Sequence, residues 1–317
     1  MDYSGIPMTT SQANPYIPRD RFWKIKRDLP LYLMLLPAII LLLLFKYYPM
    51  YGISIAFQNY KPLLGFQKSA WVGLYQFQRL FSLPDAWELF RNTLVIACGK
   101  LFFGTVASVL IALLLNEVRN EIFKRSIQLF TYLLHFFSWL ILGRILIDIL
   151  STYGLVNSLV TVFKLSPIAF LGDPNLFQPT AIMADVWKEF GFGAIIYLAA
   201  LTGIPPDLYE AAAVDGANRF QRVWHITLPS LSSTIVLLTI LNLGWILDAG
   251  FEQLLIICNP AVAATCDVID LYVYKVGLLT QQFSLGTAVG LFKSVIGIIL
   301  ISISWYLAKR FADYRIF

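Results

Sequence analysis

An all-α membrane protein with six transmembrane helices is the expectation from this sequence. Of its 317 residues, 58% are hydrophobic and only 14% are charged. The mean hydropathy is +0.69, too apolar for one soluble core of this length. Apolar runs fall near 30–57, 90–116, 127–150, 179–203, 234–258 and 286–310, each long enough for a hydrocarbon core about 30 Å thick. Such runs are read as helices, because an isolated strand in lipid would leave its backbone groups unpaired.

The first 28 residues contain Pro7, Pro15 and Pro18 and end in Arg19-Asp20-Arg21-Phe22-Trp23-Lys24-Ile25-Lys26-Arg27. Aromatics set among basic residues suit a short helix lying on the inner leaflet, and a solvated basic tail fits equally. The basic segment is too long for an ordinary signal peptide, and no small-x-small cleavage site follows the apolar run. The first span is therefore expected to stay, giving a tail over 1–28 and a membrane domain over 29–317.

Orientation follows from Lys and Arg. With both termini in the cytoplasm, thirteen basic residues fall inside and six outside, which favours the N-in, C-in arrangement. Outer loops are then expected at 58–89, 151–178 and 259–285, and cytoplasmic loops at 117–126 and 204–233. The net charge of +5 follows from this bias and needs no nucleic acid.

Away from the ends of the expected spans lie ten Lys, Arg, Asp and Glu residues: Lys46, Lys100, Arg144, Asp148, Asp185, Lys188, Glu189, Asp248, Glu252 and Lys293. A charge at mid-bilayer costs about 2.5–3.5 kcal/mol even on the gentlest scale, so such groups should face partners or water. All ten fall in the outer half of their spans, as an outward-facing aqueous vestibule would require. Arg144 with Asp148 (i,i+4) and Asp185 with Lys188 (i,i+3) have the spacing of pairs on one helix face. Asn242, Trp245, Asp248 and Glu252 recur every three or four residues along the fifth run. That stripe mixes hydrogen-bonding groups with an indole, as sugar recognition needs. With Trp187 and Lys188 they are the candidate substrate path. The competing reading makes these residues structural ion pairs at the interface with another subunit.

Cys98 lies within the second run and has the character of a packing residue. Cys258 and Cys266 bracket a turn at Asn259-Pro260 on the expected outer side. A disulfide and two free thiols both remain open.

In the loop 204–233, Ile204-Pro205-Pro206 should stop the fourth span. Asp207 with Glu210 has the form of a capping box that restarts a helix. Gly216 fits the left-handed position ending that helix. A second short helix, Arg219 to Ile226, should run until Pro229 turns the chain back into the membrane. Ala211, Ala212 and Ala213 keep one face flat enough for another protein to approach closely. A plain connector is the bland alternative.

The pattern Glu210-Ala211-Ala212, three residues, Gly216, nine residues, Ile226-Thr227-Leu228-Pro229 resembles the EAA loop of ABC importer permeases without a mismatch. Further segments resemble the carbohydrate branch: Tyr47-Tyr48-Pro49-Met50-Tyr51-Gly52, Val72-Gly73-Leu74-Tyr75-Gln76-Phe77, Asp185-Val186-Trp187-Lys188, Gly250-Phe251-Glu252-Gln253 and Asp267 to Tyr274. Within it they are most similar to the LplB-type permeases, which serve oligosaccharides released from complex polysaccharides. The resemblance runs from about residue 25 to the C-terminus, and the Cys258/Cys266 pair falls outside the family pattern.

The resemblance implies a type I importer transmembrane domain whose loop docks on a separate ATPase. Glu210, Ala211, Ala212, Asp215, Gly216 and Ala217 would carry that contact. It further implies a second permease subunit, usually non-identical, two ATPases holding ATP and Mg, and an external solute-binding protein. The chain has no Gly-x-x-x-x-Gly-Lys-Ser/Thr phosphate loop, so no enzyme activity and no cofactor are expected of it. His135 and His225 stand too far apart in sequence for a metal site or a catalytic dyad. An ion-coupled transporter with Asp248 or Glu252 carrying a proton is the alternative; the lack of a visible internal repeat counts against it. A membrane-anchored scaffold is a third reading.

Overall fold

The computed structural model describes residues 21–244 and 246–311, with side chains from 28 to 306. The chain divides into two compact units, Met1–Gly52 and Ile53–Phe317. In the first, helix α1 (Arg21–Leu42) runs without a break through residue 28 and contains Pro30 and Pro37. A wider turn (Leu43–Tyr47) continues it, and a 3₁₀ stretch (Tyr48–Phe57) covers the boundary between the two units. The basic-aromatic segment lies partly outside the described residues and wholly outside the described side chains.

In the second unit a small antiparallel hairpin, β1 (Gln58–Asn59) with β2 (Ala70–Trp71), precedes helix α2 (Ala86–Glu117). Then follow α3 (Glu121–Phe136), α4 (Trp139–Leu150), α5 (Pro174–Thr202), α6 (Pro206–Val214), α7 (Leu228–Leu243), α8 (Phe251–Ile257) and α9 (Phe283–Phe311). Among the described residues five stretches are long and apolar enough to cross a membrane, and α5 joins them when taken with α6, from which it is bent by 73°. At 29 residues α5 is about 44 Å long, sufficient by itself to span. It fails on apolarity because it carries Asp185, Lys188 and Glu189.

The third expected span, 127–150, is divided: Phe137 and Ser138 are extended, and α3 and α4 lie on either side. The crossing stretch is Trp139–Val162. Breaking a helix frees backbone carbonyls, and here one of them is answered from α5, where Lys188 Nζ donates to His135 O at 3.0 Å. The fifth expected span, 234–258, is also interrupted. The helix begins earlier, runs from Arg219 through α7 to Leu243, and stops before Gly244; α8 restarts only after Gly250, whose φ of +86° suits glycine alone. Asn242, Asp248 and Glu252 are thus not one helical stripe. Pro229 does not turn the chain either, since a wide π-type turn over Val223–Thr227 leads straight into it. The widened turn relieves the clash a proline ring otherwise makes with the preceding turn.

Of the four buried clusters among the described residues, two frame the long helices, and α2 packs along the length of α5 between them. Ile96, Phe177, Ala181, Leu254, Val262 and Leu271 form the first. Val109, Ala112, Ala194, Tyr197, Leu201 and Leu231 form the second, at the end that carries α6. Lipid is as apolar as leucine, so what these residues gain is close packing rather than escape from water. Gly191 illustrates the closeness: a Cβ there would strike the backbone of Thr131 on α3.

Candidate functional site

A cavity of about 440 Å³ lies between the two cores. Helix α2 contributes Lys100, Gly104, Thr105 and Ser108, α5 contributes Asp185, Glu189 and Gly193, α7 contributes Asn242, and the interrupted segment supplies Asp248 and Gly250. Irregular backbone at membrane depth is tolerated where it is buried in protein or lines such a cavity.

Lys100 ties three of these elements together. Its Nζ donates to Asp185 Oδ1 at 3.0 Å, Ala249 O at 2.9 Å and Gln253 Oε1 at 2.5 Å. An ammonium has three donors, so Lys100 has none left for a ligand. Gln253 is fully buried and passes the chain of bonds on to Ala181 O at 2.7 Å. A Cβ at Gly250 would meet the Lys100 ammonium, which would have to shift and give up its present bonds.

Glu189 is held from behind. Lys188 Nζ and His135 Nδ1 each lie 2.6 Å from its carboxylate. The His135 ring stacks on Phe192 at 3.9 Å, and Lys188 sits 5.7 Å over Trp139. The expected Asp185–Lys188 pair is therefore replaced by Lys100–Asp185 and Lys188–Glu189. Arg144 and Asp148 do pair, at 3.8 Å and well exposed. Asp248 acts electrostatically on Asp270, whose two oxygens take Lys293 Nζ at 2.5 and 2.7 Å. Burial pushes the Asp270 carboxyl above its usual range, Lys293 opposes the rise and Asp248 adds to it.

Of the six candidate path residues, Asn242 and Asp248 line the cavity. Lys188 is buried behind its wall. Trp187 belongs to a separate apolar groove with Leu146, Met183 and Pro179, Glu252 is exposed on α8, and Trp245 lies outside the described residues. The sequence reading counted Lys100, Asp185 and Glu189 as buried charges without assigning them to the path. It had no reason to select Gln253, which only a partner on another helix makes important.

At the other end, α6 projects with no buried residue. Glu210, Ala211 and Asp215 are exposed, while Ala212 and Ala217 are partly covered. The expected Asp207/Glu210 box is absent: Pro206 occupies the first turn and no side chain caps the helix. Proline has no N–H to satisfy there, which lowers the need for a cap. The box forms one helix later, with Asn218 and Gln221 bonded reciprocally at 2.8 and 2.9 Å. Gly216 has φ +81°, and the N–H groups of Gly216 and Ala217 return to Ala213 O and Ala212 O at 3.2 and 2.9 Å, a Schellman ending. Tyr209 hydroxyl meets Thr227 Oγ1 at 3.1 Å, fixing α6 to the turn before α7.

Cys258 and Cys266 have Cα atoms 5.8 Å apart and their sulfurs joined. Their loop is held by Asn92 Nδ2 to Ala264 O at 2.8 Å and Gln178 Nε2 to Thr265 O at 3.0 Å.

Residues 104–313 match the family described as the inner membrane component of binding-protein-dependent transport systems. The chain belongs to that family. It is a multi-pass cell-membrane transport permease, and the match gives no support to an ion-coupled mechanism. Similar proteins include Protein LplB of Bacillus subtilis, 46% identical over 92% of each chain, and the polygalacturonan/rhamnogalacturonan permease YteP of the same organism, 46% identical over 90% of each. A permease chain from the crystal structure of a bacterial ABC importer of alginate superposes with a TM-score of 0.85 and 38% identity, covering 92% of this chain and 99% of that one. A second such structure contains a periplasmic protein bound to an alginate pentasaccharide.

Proposed function

We propose that this permease is one half of an ABC importer that takes up oligosaccharides derived from complex polysaccharides. Its relatives' printed substrates, polygalacturonan with rhamnogalacturonan and alginate, support that class. The observation that carries the reading is the exposed α6 with its Gly216 ending, attached rigidly to two spans of a family permease. Two separate ATPase subunits bind ATP and Mg and dock on Glu210, Ala211, Ala212, Asp215, Gly216 and Ala217. The termini and this loop face the cytoplasm. A second, non-identical permease completes the pathway, and an external binding protein delivers the sugar.

Force has a direct route from loop to cavity. Pro205 and Pro206 stiffen the joint between α5 and α6, and Tyr209 couples α6 to the turn before α7. Displacing α6 therefore moves α5 and α7 together, and with them Asp185, Glu189 and Asn242. Lys100 keeps the interrupted segment, with Asp248, in step. Sugar hydroxyls are bonded by Asn242, Asp248, Thr105 and Ser108, and Lys188 acts only by holding Glu189. Co-purification with a soluble ATPase tests the docking, and Glu210→Lys is expected to abolish it. Retention of the ATPase by that variant would remove the proposed role of the loop.

A further inference from the structure

Behind α6 lies a second cavity of about 140 Å³, lined by Glu117, Arg119, Tyr209, Arg219, Arg222 and Thr227 among others. Three guanidinium groups face one carboxylate there, a formal excess of two positive charges. Glu117 reaches one of them loosely, with Arg219 Nη1 3.9 Å from its Oε2. Among the described residues neither Arg119 nor Arg222 has an ion-pair partner. Arg222 Nε is moreover fully buried and makes no hydrogen bond, and a buried donor without an acceptor calls for an occupant. The Tyr209 and Thr227 hydroxyls lie in the same wall but are bonded to each other, and Thr227 also donates to Arg222 O, so the guanidinium groups are its main donors.

We infer that this cavity binds a phosphate-type oxyanion. Guanidinium forks match its oxygens in geometry. A phosphate dianion cancels both surplus charges, whereas a single carboxylate from a partner protein cancels one. The volume admits such an ion with a few waters, each taking about 30 Å³ of liquid. Because the lining comes from the end of α2, from α6 and from the helix leading into α7, the bound ion braces the docking loop against two spans. The dianion can come from a lipid with a phosphomonoester headgroup or from a soluble phosphate compound. The inference does not depend on the proposed sugar class or on the path residues.

The test is phenylglyoxal labelling of arginines in the intact complex, read by peptide mass spectrometry with exposed Arg125 as the internal reference. Three nanodisc samples are compared: phosphatidylcholine alone, phosphatidylcholine with inorganic phosphate added, and phosphatidylcholine mixed with phosphatidic acid. Labelling of Arg119 is expected to fall about fivefold in at least one anion arm, as charge-assisted bonds to a guanidinium would produce. A fall with inorganic phosphate identifies a soluble source, and a fall with phosphatidic acid alone identifies a lipid. Arg222→Gln is expected to remove that protection while the complex still assembles, and Arg222→Lys to keep part of it. Unchanged labelling of Arg119 in both anion arms would overturn the inference. So would protection that is complete in phosphatidylcholine alone and lost only when the ATPase is stripped, since a carboxylate of the partner would then fill the site.

Discussion

Lys100 commits every one of its donors inside the protein, which makes it an organiser of the cavity rather than a sugar ligand. Removing it leaves Asp185, Ala249 O and Gln253 without their shared partner. Lys100→Met is therefore expected to destabilise the permease by about 3–5 kcal/mol, as for other broken buried pairs, and to abolish uptake; thermal unfolding of the purified complex measures the first effect. Asp248 behaves differently because it is exposed to the cavity. Asp248→Ala, and likewise alanine at Trp245, should lower uptake while assembly and basal ATPase stay unchanged, and normal uptake in both variants would exclude them from the path. The buried charges themselves were legible in the sequence, but their partners were not. Asp185 and Lys188 have helix spacing, yet Asp185 takes a lysine 85 positions away, a choice that only packing of α2 on α5 creates.

The α6 loop was the most legible element, because its glycine has a conformational requirement that spacing alone reveals. Gly216→Val forces a branched side chain into the left-handed region, a strain of about 1–3 kcal/mol. The variant should bind the ATPase weakly although its spans fold, and pull-down alongside far-UV circular dichroism separates the two effects. The cap was misassigned because Asp207 and Glu210 have the right spacing, while Pro206 just before them removes the need for it. The interruption of the fifth span was hidden for another reason: Ile246, Leu247 and Ala249 are as apolar as the helix around them, and Lys100, which satisfies Ala249 O, is distant in sequence. The loop at Cys258 and Cys266 yields to a direct check. A linked peptide pair is expected in non-reducing mass spectrometry, and two separately alkylated cysteines would contradict a bridge.

Taken whole, the described bundle carries the exposed α6 loop at one end and a polar cavity between two of its cores. Six spans and a family were readable from hydropathy and the EAA spacing, because both are properties of the chain itself. The divided third span was not, since its freed carbonyl is answered by Lys188 from another helix. On the proposed function, the linkage between loop and cavity should make transport depend on ATP hydrolysis by the ATPase subunits. Uptake of a labelled uronate oligosaccharide into proteoliposomes holding the full complex and its binding protein measures that linkage. ATP supplied to the ATPase side should drive accumulation, and Glu210→Lys should stop it with the cavity intact. Accumulation driven by a proton gradient without ATP, or undiminished in Glu210→Lys, would contradict it.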